Sequence, residues 1–568
     1  NVGEGPLTLR MSRSSPGRYA LHEFAKNVYS VSATDGAGRK LEVGRSNPYE
    51  WTVAGHDGTV SVTYTLYADR ADGTYSQIDA THAHLNMPAT FMWARGFSDR
   101  PITVTFRPYD IDWKVATQLQ PTGERYTFRA PDLQYFMDSP TELSDHAVRE
   151  WQVEDEGERY TIRLAVHHEG TPQDVDRFAE MAKKVVREQV AIFRDVPDFD
   201  FGTYTFIADY LPYASGDGME HRNSTILTNS KSLHEADFAQ LGTLSHEFFH
   251  AWNVERLRPA ELEPFDFERA NPTPSLWFAE GFTSYYGPLT IRRAGETSVD
   301  EYLGDLSGTL DRILNAPGRR YGSPQEMSLR APFVDAAESI DPTNFSNIFV
   351  SYYPYGAIIA LGLDLTLRQR FDGLTLDDYM RHLWKTQGVT EKSYTPQDLR
   401  QALAEVTGDA AFANQFFETT IEGSALPDFE ALLAEAGLKL RLKNEGSAYL
   451  GPVELEVAGD AVTLGANTAV GSPLYEAGLE REDEILSLGR FRIDSEEDWN
   501  KALQRHAPGD EVDIRFIQRG QERRAKIRFA ENPTVEVVRF EAIDLPVTPA
   551  QRAFRESWLG RGAAGATD

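Results

Sequence analysis

Residues 244–253 read Leu244-Ser-His246-Glu247-Phe-Phe-His250-Ala-Trp-Asn253. On a helix, positions i and i+4 lie on one face, so His246 and His250 can present their imidazoles to one cation. The pattern predicts a helix over 237–254. Two neutral imidazoles suit zinc, and Glu247, directly after the first histidine, can reach water at such a metal. Leu241, Leu244, Phe248, Phe249 and Trp252 supply apolar cover that keeps the site dry.

A catalytic zinc needs a third protein ligand and one open position. Glu280 is the candidate, in Leu276-Trp-Phe-Ala-Glu280-Gly-Phe-Thr-Ser-Tyr-Tyr286. An acid inside so apolar a run is costly to bury unless a cation compensates it. Glu261, Asp266 and Glu268 compete as carboxylates, but they fall in a polar, proline-rich segment that reads as an exposed loop.

Composition narrows the chemistry. The 568 residues contain no cysteine, so any metal must be held by histidine and carboxylate. The net charge of −30 argues against nucleic acid and anionic membranes and mildly favours cationic ligands, such as a peptide with a free amino terminus. No stretch is read as a transmembrane span. The first residue is Asn1; loss of an export signal would suit a periplasmic or secreted protein, and a trimmed chain would leave the cytoplasm open.

The chain is read as a multidomain α+β protein. Residues 1–168 form a β-rich N-terminal domain, a sandwich or saddle-like sheet. There Val60, Val62, Tyr64 and Leu66 alternate with polar residues, as do Ile102, Val104 and Phe106. Residues 169–297 form the catalytic domain, opened by a helix that Thr171-Pro172 caps. Short strands are expected at 204–207 and 225–227, flanking a loop at 215–218. Residues 298–437 are mainly helical, irregular between Pro317 and Pro342. Residues 438–532 return to short strands with one helix, 495–503, and 533–568 form a tail with one possible helix and a disordered Gly/Ala end.

His246-Glu-Phe-Phe-His-Ala-Trp-Asn253, Arg256-Leu-Arg-Pro259 and Leu276 to Tyr286 together resemble the glycyl aminopeptidase family, zinc aminopeptidases of the gluzincin type. Ser15-Pro-Gly-Arg-Tyr19 and His22-Glu-Phe-Ala-Lys-Asn27 resemble it as well. The resemblance implies a thermolysin-like catalytic domain, a helical domain completing the active site, one zinc per chain on His246, His250 and Glu280, and a PDZ domain at 438–532. It also implies a preference for small amino-terminal residues, glycine or alanine.

Two further roles follow from the resemblance. Gly218-Met219-Glu220-His221 matches a strand motif whose glutamate receives the substrate's α-ammonium group, so Glu220 would hold the amino terminus, with Gly218 and Met219 beside it. Asp217 could share that work, and His221 stands where the related motif has asparagine. Ser351-Tyr-Tyr-Pro-Tyr-Gly356 matches a helix start whose tyrosine stabilises the tetrahedral intermediate. Tyr353 takes that position with Tyr352 as the alternative, and Tyr355 replaces a lysine.

The expected reaction is removal of N-terminal residues from peptides, with Glu247 as general base. An endopeptidase with the same metal site and an inactive peptide-binding scaffold are the alternatives. Gly471-Ser-Pro and Ala477 to Leu486 look like the bacterial PDZ pattern, with Tyr449-Leu-Gly451 as a loop for a peptide C-terminus.

Overall fold

The computed structural model describes residues 2–3, 5–155, 157–334 and 343–560. The Gly/Ala end expected at the C-terminus and part of the irregular stretch expected before Pro342 lie outside the described residues.

The first 145 residues form antiparallel sheets around two apolar cores. One core gathers Leu7, Leu9, Phe24, Trp51 and Val53, and the other Leu85, Trp113, Phe136 and Leu143. Strand Val60–Leu66 alternates in exposure along its length, as its sequence predicts. Phe265 and Phe267, from the proline-rich segment, bury themselves in the second core, so that segment is a docking arm as well as a loop.

The boundary expected at residue 168 is corrected. Strands Ala147–Asp155 and Glu158–His168 belong to the next sheet, which orders 147–155, 158–168, 203–210, 224–229 and 217–221 across its width. Its three central strands are parallel and its two edge strands antiparallel to their neighbours. A half-buried strand shows the same alternation whichever sheet it joins, so periodicity alone could not place it. The expected loop at 215–218 ends in the edge strand Asp217–His221.

Helix Pro172–Phe193 starts with Thr171 and Asp174 in a reciprocal capping box, and Pro172 sits in the first turn where no amide donor is needed. Its apolar face joins a continuous core that runs from Ile162 to Leu559 and includes residues of the helices after 298. The helical residues therefore share one core with the sheet.

The expected tail holds its expected helix, but it packs as part of the body. Strand Val535–Arg539 pairs with Leu438–Leu442, and helix Pro549–Leu559 seats Trp558 in the main core. The Trp558 indole donates to the Tyr285 hydroxyl at 2.9 Å, and Arg293 Nε donates to the Trp558 carbonyl at 3.2 Å. Between those paired strands lies a separate module with its own core, Leu450 to Phe529, and the expected helix as Glu496–Leu503. Asn347 fastens the module to the body: its amide donates to the Thr468 carbonyl at 3.0 Å, and its carbonyl accepts from Val470 N–H at 2.8 Å.

Against the sequence expectation, the stretch Phe345–Arg370 is long and apolar enough to cross a membrane. Some 72% of its most apolar window is buried within the protein, which makes it a core segment.

Candidate active site

The central helix is shorter than its sequence suggests, Leu241–Phe249, with His250 at its C-cap in right-handed helical conformation. That conformation keeps His246 and His250 on one face. Their Nε2 atoms lie 3.1 Å apart, and Glu280 Oε2 lies 3.4 Å from the first and 3.3 Å from the second. Glu261 is bonded to Thr273, and Glu268 pairs with Arg10 and Arg95, so neither serves the site.

The donor atoms are set by their outer partners. His250 Nδ1–H donates to the Asn253 carbonyl at 2.6 Å, leaving its Nε2 lone pair facing inward. The Asn253 side-chain amide donates to the carbonyls of Phe278 and Ala279 at 3.2 and 3.1 Å, tying the second histidine to the helix that carries Glu280. Glu280 Oε1 accepts from the Tyr19 hydroxyl, which leaves Oε2 for a cation. Two imidazole Nε2 atoms and a carboxylate oxygen held within 3.4 Å of one another converge on a point where one cation would meet all three. Two imidazoles and a carboxylate are the donor set of a catalytic zinc centre with an open position.

Two glycines let the surrounding helices close. A Cβ on Gly281 would collide with the Gly356 backbone, and one on Gly356 with the Trp277 carbonyl. Helix Leu276–Arg293 therefore crosses helix Tyr352–Arg370 at backbone contact, bringing the latter's first turn to Glu280. Pro354 fits that turn because no donor is missed there. Tyr353 ends with its ring 6.1 Å from that of His246. Tyr352 is buried edge-on against Tyr19 at 6.0 Å. Tyr355 is fully buried in the main core.

Edge strand Asp217–His221 passes the other side of the helix. A Cβ on Gly218 would strike Glu247 Oε1 and the Thr243 methyl, so only glycine lets the strand lie this close. Glu220 is 6% exposed, and burial pushes its carboxyl up to about 7. Burial likewise pushes Glu247 well above its ordinary value, with Glu220 and Glu280 adding to the rise, and Glu247 Oε2 makes no hydrogen bond. Glu220, Glu247 and His250 form a second group of converging donors on the same wall.

Met219 points away, fully buried, towards the N-terminal glycines Gly17 and Gly73. Asp217 is corrected as an amine ligand: its carboxylate is taken by Arg18 and by Gly73 N–H at 2.9 Å. His221 is bonded through Nδ1 to Asp138 at 2.8 Å, a brace to the N-terminal part.

Tyr19, Arg18 and Gly17 carried no role in the sequence reading, yet this one turn touches Glu280, Asp217 and Glu220. Its only signal was the family-like run Ser15 to Tyr19.

Residues 1–145 match the peptidase M61 N-terminal domain and residues 239–359 the M61 glycyl aminopeptidase domain. The first match ends just before strand Ala147–Asp155, where the sheets change. No curated protein matches the chain. The structure of an aminopeptidase N family protein from Idiomarina loihiensis is similar over 98% of this chain and 96% of its own, at 24% identity and a TM-score of 0.83. That is a likeness of fold. A mutant M1 zinc metallopeptidase from Deinococcus radiodurans covers 75% of this chain and 92% of its own, at 14% identity and a TM-score of 0.42, and nothing further rests on it.

Proposed function

This chain is a metallopeptidase of the M61 glycyl aminopeptidase family, and on that premise we propose that it is a zinc-dependent aminopeptidase removing N-terminal residues from peptides. The observation that carries this reading is the buried Glu220 beside Glu247, on a strand backed by the turn Gly17 to Tyr19. A Cβ on Gly17 would come within 3.0 Å of Glu220 Oε2 and closer still to Met219, so the N-terminal turn walls off the cleft behind Glu220. A peptide whose ammonium group meets Glu220 has no room to extend past it. Charge-assisted pairing there positions the first peptide bond over the metal ligands.

His246, His250 and Glu280 would hold the zinc in a thermolysin-like gluzincin arrangement. When bound, zinc supplies Lewis acidity to the scissile carbonyl and the attacking water. Glu247 takes the proton from that water and delivers it to the departing amine. Tyr353, against His246, donates its phenol to the developing oxyanion; Tyr352, packed edge-on against Tyr19 instead, supports the fold of the site. Strand Asp217–His221 ends its sheet and offers its free edge to an extended substrate. The confined space behind Glu220 suits small amino-terminal side chains such as glycine or alanine.

We read the C-terminal module as a PDZ domain. Tyr449, Pro452 and Gly471 line a cavity of about 1160 Å³ that also receives Arg319, Arg320 and Tyr352. A peptide carboxylate bound at the Tyr449–Gly451 loop would sit close to those guanidinium groups.

The test is hydrolysis of glycyl and alanyl anilides against their N-acetylated forms, each with and without chelator. Cleavage confined to free amino termini and lost on chelation is expected. Equal cleavage of acetylated substrates would make the protein an endopeptidase, and chelator-insensitive cleavage would remove the metal from the mechanism.

A further inference from the structure

The N-terminal sheets meet the catalytic sheet at a second gathering of histidines and carboxylates, remote in sequence from the first. Strand His82–Leu85 points His82 and His84 to one face, two residues apart. The antiparallel register sets His84 opposite Glu142. On the facing sheet, parallel pairing sets His167 beside Asp209. His82, His84, Glu142 and Asp209 are all at most 1% exposed, while His167 reaches the rim at 17%.

The inward atoms are unsatisfied. His82 Nδ1 lies 3.5 Å from Glu142 Oε1, and His167 Nδ1 lies 3.6 Å from the same oxygen and 3.5 Å from Asp209 Oδ1. These separations exceed hydrogen-bond length, and His82 Nδ1, His167 Nδ1, both Glu142 oxygens and Asp209 Oδ1 are buried without a hydrogen bond. The outward atoms, by contrast, are committed. His82 Nε2 meets Gln77 Oε1 at 3.2 Å, an oxygen that only accepts, so the proton sits on Nε2 and a neutral His82 turns its Nδ1 lone pair inward. Asp209 Oδ2 accepts from His84 Nδ1–H at 2.6 Å, and His84 Nε2–H donates to the Asp72 carbonyl at 2.7 Å. With both nitrogens donating, His84 is an imidazolium.

Two buried carboxylates face one buried imidazolium, with the His82 lone pair between them and His167 Nδ1 turned to both carboxylates from the rim. That arrangement lacks positive charge. The four inward groups offer ligand atoms within 4.8 Å of one another, as do His246, His250 and Glu280. Zinc bonds of about 2.0–2.1 Å in a tetrahedron separate neighbouring ligands by roughly 3.3–3.5 Å. We propose that His82, Glu142, His167 and Asp209 form a second, structural binding site for a divalent cation of the zinc type, which staples the N-terminal sheets to the catalytic sheet. Four protein ligands close the coordination, as in structural rather than catalytic sites. His84 and Gln77 orient the ligands from behind. The expected complement becomes two metal ions per chain, where the sequence implied one.

The test is metal content of the full-length protein, loaded with zinc, desalted and measured by elemental mass spectrometry. The double variant H246A/E280A removes two of the three catalytic ligands and is expected to retain one zinc per chain. Adding His167→Ala at the rim should take that to none, with the circular dichroism unchanged. Cobalt(II) in place of zinc in H246A/E280A should give the intense visible absorption of a tetrahedral site, lost with His167→Ala. An H246A/E280A protein without zinc, or one that keeps it after His167→Ala, would overturn the proposal and leave a network of protonated histidines. Should the triple variant fail to fold, anomalous scattering at the zinc edge from wild-type crystals decides the matter: a peak among His82, Glu142, His167 and Asp209 supports the site, and a peak at the catalytic ligands alone rejects it.

Discussion

Two clusters in this molecule use the same donor types, and they differ in how the chain delivers them. At the candidate active site, His246 and His250 arrive on one helical turn, and Glu280 follows on the next helix. At the interface cluster, His82, Glu142, His167 and Asp209 arrive on four strands of two sheets. The first set leaves its open side to Glu247, Glu220 and Tyr353; the second is enclosed by Gln77, Asp72 and His84. On the two proposals, similar ligand chemistry yields reactivity or cohesion according to what stands at the open coordination position.

Glu247→Gln draws this contrast most sharply. Turnover should fall by about 10²–10⁴-fold or more while zinc content stays that of the wild type, measured by anilide hydrolysis beside elemental analysis. A variant with near wild-type turnover would mean that another group serves as base. Tyr353→Phe should cost about 10²–10³-fold in kcat with little change in KM, the mark of an oxyanion donor. If Tyr352→Phe produces that loss instead, the two tyrosines exchange roles.

Tyr19→Phe removes the hydroxyl behind Glu280 and should weaken metal affinity at the catalytic centre by about 10–100-fold, read by competition with a chromophoric chelator. Unchanged affinity would make the Tyr19 bond incidental. The smallest change in activity is expected from His167→Ala, which should leave turnover close to wild type while lowering the thermal midpoint by a few degrees. A large loss of turnover at unchanged stability would show that the interface cluster takes part in the reaction.

The same contrast explains what the sequence disclosed. Side chains delivered by one helix have fixed spacing, so the convergence of His246 and His250 could be read directly, and that of Glu280 was signalled by an acid in an apolar run. Helix Pro172–Phe193 and helix Glu496–Leu503 were legible through their caps. Ligands delivered by sheet pairing have no fixed spacing, because register and strand order are decided by contacts between distant segments. Glu142 and Asp209 are 67 residues apart by their numbers, and no local pattern links them. The same reason hid the transfer of strands 147–168 to the catalytic sheet and the reach of Tyr19 to Glu280 across 261 residues. Gly281 and Gly356 were visible as letters, but their meaning as a helix crossing needed both partners in place.

The pairing of Leu438–Leu442 with Val535–Arg539 bears on how the enzyme is made. The strand that leaves the catalytic body and the strand that returns to it lie side by side, so the module between them hangs from a two-stranded stalk. A ribosome completes that module before it delivers Trp558, the side chain that closes the core beside Tyr285 and Arg293. Domains fold as units during synthesis. The C-terminal module can therefore be finished while the main core still lacks its last apolar plug, and hydrolytic competence arrives only after it.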